Sequence, residues 1–248
     1  MDIYGLIGKK LDHSFSPKFF EEKFRKMKIN AEYRLFEIDD PEEIPKIIID
    51  NPDLKGLNVT IPYKRSVSSY MHELDKTISL TGSINTIKII RKRGKIKLKG
   101  YNTDIIGFEK TIKPYLNDDP QLRALILGTG GTANSVAYVL RKLGVLFCFV
   151  SRKPSKTLHI KYSWIDGVDV RTNKLIINTT PLGMYPNTDT APELPYDQFT
   201  NEHTLYDLVY NPPETLFLKK GREQGATCVN GQKMLEIQAE ASWKIWNK

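Results

Sequence analysis

The feature that most restricts the fold is an apolar run, Arg123-Ala124-Leu125-Ile126-Leu127, that passes directly into Gly128-Thr129-Gly130-Gly131-Thr132-Ala133. Such a run closed by glycine predicts a buried strand, and the periodic segment 133–143 behind it predicts a helix. The glycine spacing G-x-G-x-x-G/A lets a backbone turn tightly and approach a pyrophosphate. The free N–H groups and dipole of the helix N-terminus then favour the anion. A glycine-rich turn between strand and helix can also be a turn and nothing more, so its surroundings carry the reading. Further strands are predicted at 145–150, 175–178 and 204–209. This succession predicts a parallel, doubly wound sheet, a Rossmann-like domain.

The segment after strand 145–150 reports on the cofactor. An NAD-binding chain places an acid there for the ribose hydroxyls, whereas this chain has Ser151-Arg152-Lys153. A guanidinium and an ammonium suit the 2′-phosphate of NADP, because arginine meets phosphate with two charge-assisted hydrogen bonds. A solvated basic loop is the other reading. Gly128, Thr129, Gly130, Gly131, Thr132, Ala133, Ser151, Arg152 and Lys153 are therefore the candidate cofactor-binding residues.

The first hundred residues have a different texture. Apolar runs at 3–7 and 33–38 flank a charged, periodic segment at 17–28, which reads strand, helix, strand. A helical pattern follows Pro41, then a strand at 56–62 stopped by Pro62, then a hairpin at 84–98 around Arg93-Gly94. After a helix candidate at 105–115 and a polar loop at 116–121 comes the glycine turn already described. A last helical segment, 232–246, is expected to fold back on the first domain. The expectation is thus an α/β protein of two α/β domains, 1–103 with a returning helix at 231–248, and 104–230. A length of 248 residues accommodates both.

Charge and cysteine content limit the partners. The formal net charge is +8, and its densest stretch, 88–99, alternates lysine or arginine with apolar residues. That pattern is expected of a hairpin with lysines on the outer face of a sheet edge, a device against edge pairing. An RNA or DNA contact is the competing reading, but no nucleic-acid-binding signature accompanies the charge. No apolar run is long enough to span a bilayer and the first residues do not resemble a signal peptide, so a cytoplasmic protein is expected, without membrane or nucleic-acid partners. Cys148 and Cys228 are expected to be reduced, buried packing thiols. His13, His72, His159 and His203 have no ligand spacing with the cysteines, so no metal is expected.

Four short strings carry polar chemistry. Ser14-Phe15-Ser16-Pro17 sets two hydroxyls ahead of a helix that begins at proline, a cradle for a carboxylate or, on the simpler reading, an N-cap at Ser16. Asn58-Val59-Thr60-Ile61-Pro62-Tyr63-Lys64 puts Asn58 and Thr60 on one strand face. Gly82-Ser83-Ile84-Asn85-Thr86 offers an amide, and Gly100-Tyr101-Asn102-Thr103-Asp104 ends in a carboxylate at the domain junction. With His13 before Ser14, the glycine turn, Asn178-Thr179-Thr180-Pro181-Leu182-Gly183-Met184 and Gln238-Ala239, these strings resemble in order the motifs of the shikimate dehydrogenase family. The match runs over nearly the whole chain.

The resemblance implies an NADP-dependent reduction of 3-dehydroshikimate to shikimate in aromatic amino acid biosynthesis. Ser14 and Ser16 would hold the substrate carboxylate. Asn58, Thr60, Asn85, Asp104 and Gln238 would hydrogen-bond the ring hydroxyls, and Lys64 and Asp104 would form the catalytic pair. Tyr210 matches a tyrosine that approaches substrate from the cofactor domain, while Thr179, Leu208 and Gly231 match cofactor-side positions. Three departures stand out. The family usually has Asn-Arg-Thr where this chain has Ser151-Arg152-Lys153, the stretch 153–174 lacks an Ala/Leu-rich helix, and the histidine and asparagine that commonly follow the serine motif are absent. Two alternatives stay open: a quinate/shikimate dehydrogenase with broader substrate or NAD use, and a non-catalytic nucleotide- or RNA-binding relative. The expected oligomer is a monomer or homodimer.

Overall fold

The structure, a computed structural model, describes residues 1–12, 14–116, 119–154 and 159–248. His13, part of the 116–121 loop and residues 155–158 lie outside it. The chain forms two compact units, Met1–Ile106 with Gln238–Lys248, and Gly107–Ile237. Among the described residues no helix is long and apolar enough to cross a membrane.

The first unit contains β1 (Asp2–Gly8), α1 (Ser16–Met27), β2 (Ala31–Glu37), α2 (Ile44–Asp50), β3 (Leu54–Val59), β4 (Glu73–Leu74), α3 (Ile78–Thr81), β5 (Thr86–Lys92) and β6 (Lys95–Tyr101). Helix α4 (Asp104–Ile112) leads into the second unit, with β7 (Arg123–Leu127), α5 (Gly131–Lys142), β8 (Leu146–Ser151), β9 (His159–Lys161), α6 (Gly167–Thr172), β10 (Leu175–Asn178), β11 (Thr204–Asp207), α7 (Leu216–Glu223) and β12 (Thr227–Val229). The last helix, α8 (Gln232–Trp246), ends in the first unit.

The first sheet has the order β2-β1-β3-β5-β6-β4. β1 is parallel to β2 and β3, whereas β5 is antiparallel to β3 and β6. Strand alternation explains how both faces are buried. On β1, Ile3 and Ile7 enter a core with Leu54, Leu57, Ile44 and Ile48, while Tyr4 and Leu6 face Phe20, Phe24, Ala239 and Trp246. The end of α8 is locked there: Trp246 Nε1 donates to the Ile87 carbonyl at 3.0 Å. A Cβ on Gly56 would stand 2.2 Å from the Trp246 ring, so only glycine admits the indole.

Several expected elements end earlier than patterning suggests. β3 stops at Val59, three residues before Pro62, because the chain turns at Thr60, whose carbonyl accepts from Tyr63 N at 3.0 Å. The 84–98 hairpin turns at Arg93 (φ 50°) and Gly94 (φ 74°), a two-residue loop whose positive φ values match strand twist. β6 is not the outermost strand, since β4 pairs with its last residues, and Glu73 on β4 bonds both Lys97 and Lys99. Part of the dense basic stretch is thereby neutralised within the fold.

The second sheet is wholly parallel, in the order β12-β11-β10-β7-β8-β9. Chain order reverses between β7 and β10, the position where an open parallel sheet leaves a crevice at its strand ends. One face buries Leu125, Leu127, Val150, Ile176 and Leu205 against Val170, Phe217 and Leu218. Helix α5, with Ala133, Val136 and Leu140 buried, packs on β7 and β8. In the 153–174 stretch the described residues hold β9 and the six-residue α6, whose N-cap Asp166 accepts from Val168 N and Asp169 N. Cys148 and Cys228 are free thiols, half-buried rather than fully enclosed, Cys228 being on the edge strand β12.

Candidate active site

Asp104 owes its position to the way its motif folds. β6 ends at Tyr101, the Asn102 Oδ1 accepts from Asp104 N at 3.1 Å, and α4 begins at Asp104. The carboxylate thus lies in the first turn of a helix, where the dipole favours negative charge. Its side chain is 1% exposed, and Lys64 Nζ donates to Oδ2 at 2.8 Å. Asn85 Nδ2 donates to the other oxygen at 2.8 Å and to Gln238 Oε1 at 3.0 Å. Four residues from three of the sequence motifs and the terminal helix therefore meet in one buried polar group.

Residues that patterning left without a role hold this group together. Asn85 Oδ1 accepts from Thr103 N at 2.7 Å and from the Thr86 and Thr103 hydroxyls, each at 3.1 Å. Ser242, fully buried, accepts from Asn58 Nδ2 at 2.9 Å, stands 2.8 Å from the Thr86 hydroxyl, and donates to the Gln238 carbonyl at 3.0 Å. A serine four residues after Gln238 shares its helix face, which is the signal that identifies it. Such fully connected buried networks fix side-chain geometry, since each unpaired member would cost free energy.

The serines are arranged differently from an N-cap. Ser16 is the first residue of α1, the N-cap is Phe15 without a side-chain bond, and Ser14 Oγ accepts from Ser16 N at 3.3 Å. Capping by Ser16 is therefore replaced by a short serine turn. The Tyr33 phenol donates to Asn58 Oδ1 at 2.8 Å. Burial pushes that phenol well above its usual range, and a hydrogen bond with the Ser16 side chain opposes the rise. Tyr33 thus holds Asn58 in place. Thr60 follows β3 with its methyl against Gly8, where a Cβ would come within 2.6 Å.

In the second unit, the glycine turn has the features a pyrophosphate needs. Gly128 has φ +104°, and a Cβ there would press 2.9 Å from Thr179 Oγ1, so neighbouring β7 and β10 bring their first loop residues together. A Cβ on Gly130 would meet nothing within 4 Å, which leaves open space over the turn. α5 starts at Gly131 with no side-chain cap and no acid in its first turn, so Thr132 and Ala133 stand at an N-terminus suited to an anion. Thr179 Oγ1 donates to the Leu127 carbonyl at 2.6 Å. After β8, Ser151 Oγ accepts from Lys153 N and donates to Lys153 O, both at 3.2 Å, while Arg152 and Lys153 are exposed. These residues fit a phosphorylated dinucleotide. Gly231 is required by close approach: a Cβ would lie 2.2 Å from the Leu208 carbonyl oxygen. Tyr210 is half-buried after β11.

A buried acid that patterning passed over shapes these loops. Asp207 is fully buried and accepts from Asn178 Nδ2 at 3.0 Å, Val209 N at 3.0 Å and the Thr215 hydroxyl at 2.5 Å. It ties the ends of β10 and β11 to the N-cap of α7. Burial raises its carboxyl from 3.8 to about 6, against the opposing hydrogen bonds from Thr215, Val209 and Asn178. A raised acid contributes stability that is complete below the unfolded value and lost as pH rises through the folded one. Wild type should therefore lose about 2 kcal/mol relative to Asp207→Asn between pH 4 and pH 7. Urea unfolding of both proteins at each pH checks this, and parallel pH profiles would refute the assignment.

The chain is similar to known proteins in both sequence and fold. Residues 6–87 match the shikimate dehydrogenase substrate binding domain. A shikimate dehydrogenase (NADP(+)) of Clostridium beijerinckii is 38% identical over 259 residues, covering 100% of this chain and 93% of the relative. The corresponding protein of Methanococcus maripaludis is 35% identical over 260 residues, covering 98% and 91%. The crystal structure of shikimate dehydrogenase 1 from Peptoclostridium difficile superposes with a TM-score of 0.86 at 34% identity, covering 100% of this chain and 92% of that one. With the Lys64–Asp104–Asn85–Gln238 group in one unit and a glycine-turn parallel sheet in the other, this chain belongs to the shikimate dehydrogenase family.

Proposed function

We propose that this chain reversibly reduces 3-dehydroshikimate to shikimate with NADPH, a step in aromatic amino acid biosynthesis. The observation that carries the proposal is the 2.8 Å ion pair of Lys64 with the enclosed Asp104. Held by Gly128 to Ala133 and Arg152, NADPH would supply the hydride that the ring carbonyl carbon accepts. The Lys64 ammonium donates the proton that the developing alkoxide needs, and takes it back in the oxidative direction. Asp104 holds the ammonium in place, and Asn85 fixes the carboxylate from its other side.

The remaining expected residues fall into two sets. Ser14 and Ser16 bind the substrate carboxylate, and Asn58, Thr60, Asn85 and Gln238 bind ring hydroxyls, with Tyr210 as a further substrate contact. Gly128 to Ala133 cradle the pyrophosphate, Ser151, Arg152 and Lys153 surround the 2′-phosphate, and Thr179, Leu208 and Gly231 belong to the nicotinamide side. On this reading the unit Met1–Ile106 with Gln238–Lys248 binds substrate and the unit Gly107–Ile237 binds cofactor. We further propose a cytoplasmic enzyme that acts as a monomer or homodimer.

Steady-state rates with shikimate and quinate, each with NADP and NAD, test the proposal. Turnover is expected with shikimate and NADP. Comparable rates with quinate or NAD would favour the broader dehydrogenase, and a shift of labelled RNA at physiological salt without turnover would favour the binding protein. The substrate anchor has its own test. Ser14→Ala with Ser16→Ala should raise KM for shikimate and leave NADP affinity unchanged, whereas an unaltered KM would reduce both serines to a helix-start turn.

A further inference from the structure

Tyr162 follows β9, and its phenol oxygen is buried without a hydrogen-bond partner. A buried hydroxyl left unpaired costs free energy, and such groups in folded proteins call for a specific reason. The register of the sheet supplies one. β8 and β9 are parallel, with Val150 opposite Ile160 and Ser151 opposite Lys161, so Arg152 and Tyr162 are the next residues at the carboxyl ends of these strands. Val150, Ile160 and Tyr162 share one core cluster, which places the phenol on the face toward which alternation turns Arg152.

Burial raises the phenol to about 12, and the Arg152 charge is close enough to oppose that rise. The neighbouring hydroxyl is already committed, because Ser151 Oγ is engaged with both the N–H and the carbonyl of Lys153. A dianionic phosphate offers more acceptor sites than one guanidinium can fill. The strand end therefore combines an exposed arginine, an occupied serine and an idle phenol donor.

We propose that the Tyr162 hydroxyl donates to the 2′-phosphate of NADP beside Arg152, and so contributes to NADP selectivity. The inference rests on the reading of Arg152 as a 2′-phosphate contact. When the exposed Arg152 side chain turns onto the phosphate, the phenol gains the acceptor it lacks in the free protein.

The test is calorimetric titration of the full chain with 2′,5′-ADP and with 5′-ADP, for wild type, Tyr162→Phe and Arg152→Ala. Tyr162→Phe should bind 2′,5′-ADP about tenfold more weakly, the scale of one hydrogen bond to a charged group, with 5′-ADP unchanged. Its melting temperature without ligand should equal or exceed that of wild type, because the deleted hydroxyl has no partner. Unchanged affinity for 2′,5′-ADP, or equal losses for both nucleotides, overturns the proposal. Selective loss in Arg152→Ala together with wild-type behaviour of Tyr162→Phe rejects the tyrosine contact and keeps the arginine. Selective loss in Tyr162→Phe alone keeps the tyrosine contact and rejects the arginine.

Discussion

Lys64→Ala is expected to lower kcat by about 10²–10⁴-fold while the fold and NADP affinity persist, the range for removal of a general acid–base group. The structure sharpens the expectation, because Asp104 is almost fully enclosed and its ammonium partner stands at 2.8 Å. Removing one member of an enclosed pair also leaves an uncompensated charge, so stability should fall and must be measured separately. Asp104→Asn is the gentler probe, as it keeps the volume and can still bond Asn85. It should lower kcat by releasing the Lys64 ammonium from its fixed position. The double variant should be much less than multiplicatively worse than the singles if the two residues act as one unit. The measurement is kcat at saturating shikimate and NADP for both singles and the double, with melting curves. Near-wild-type turnover by folded Lys64→Ala would end the mechanism, and an effect confined to KM would make Lys64 a binding residue only.

Arg152→Ala is expected to weaken NADPH by about 1.5–3 kcal/mol, the scale of hydrogen bonds to charged groups, and to leave NADH almost unaffected. That is roughly a 10- to 150-fold change in preference. The side chain is exposed at the end of β8, so its removal opens no cavity in the core and should not disturb the fold. Lys153 stays beside it and retains some attraction for phosphate, which bounds the loss from above. Fluorescence titration with each reduced cofactor decides the matter. Equal losses for NADPH and NADH would remove Arg152 from the phosphate site and return Ser151-Arg152-Lys153 to a solvated basic loop.

Much of the architecture was legible because it depends on near neighbours in the chain. The run ending at Leu127 and the glycines behind it specify a strand, a left-handed backbone position at Gly128 and a bare helix N-terminus, and the structure contains all three. Arg93-Gly94 likewise announces its turn. Boundaries were less legible, since tertiary bonds rather than propensity end the strands. β3 yields to a turn at Thr60, and β11 stops where the Asp207 side chain captures Val209 N. The short strands β4, β9 and β12 carry too few residues for periodicity, and exist because a neighbouring strand offers free N–H and C=O groups.

The sequence by itself determined the residue types of the candidate site and the kind of local structure each motif would adopt. It marked Lys64, Asn85, Asp104 and Gln238 as members of motifs, but contained nothing to set their distances. Tertiary structure brought Asn85 to Gln238 across 153 residues, placed Ser242 among Asn58 and Thr86, and tied Asp207 to Asn178 and Thr215. The division has a physical cause. Backbone conformation and periodicity arise from interactions within a few residues, whereas the pairing of buried polar groups depends on sheet register and on helices packing across both faces, and each buried donor or acceptor must find its partner there.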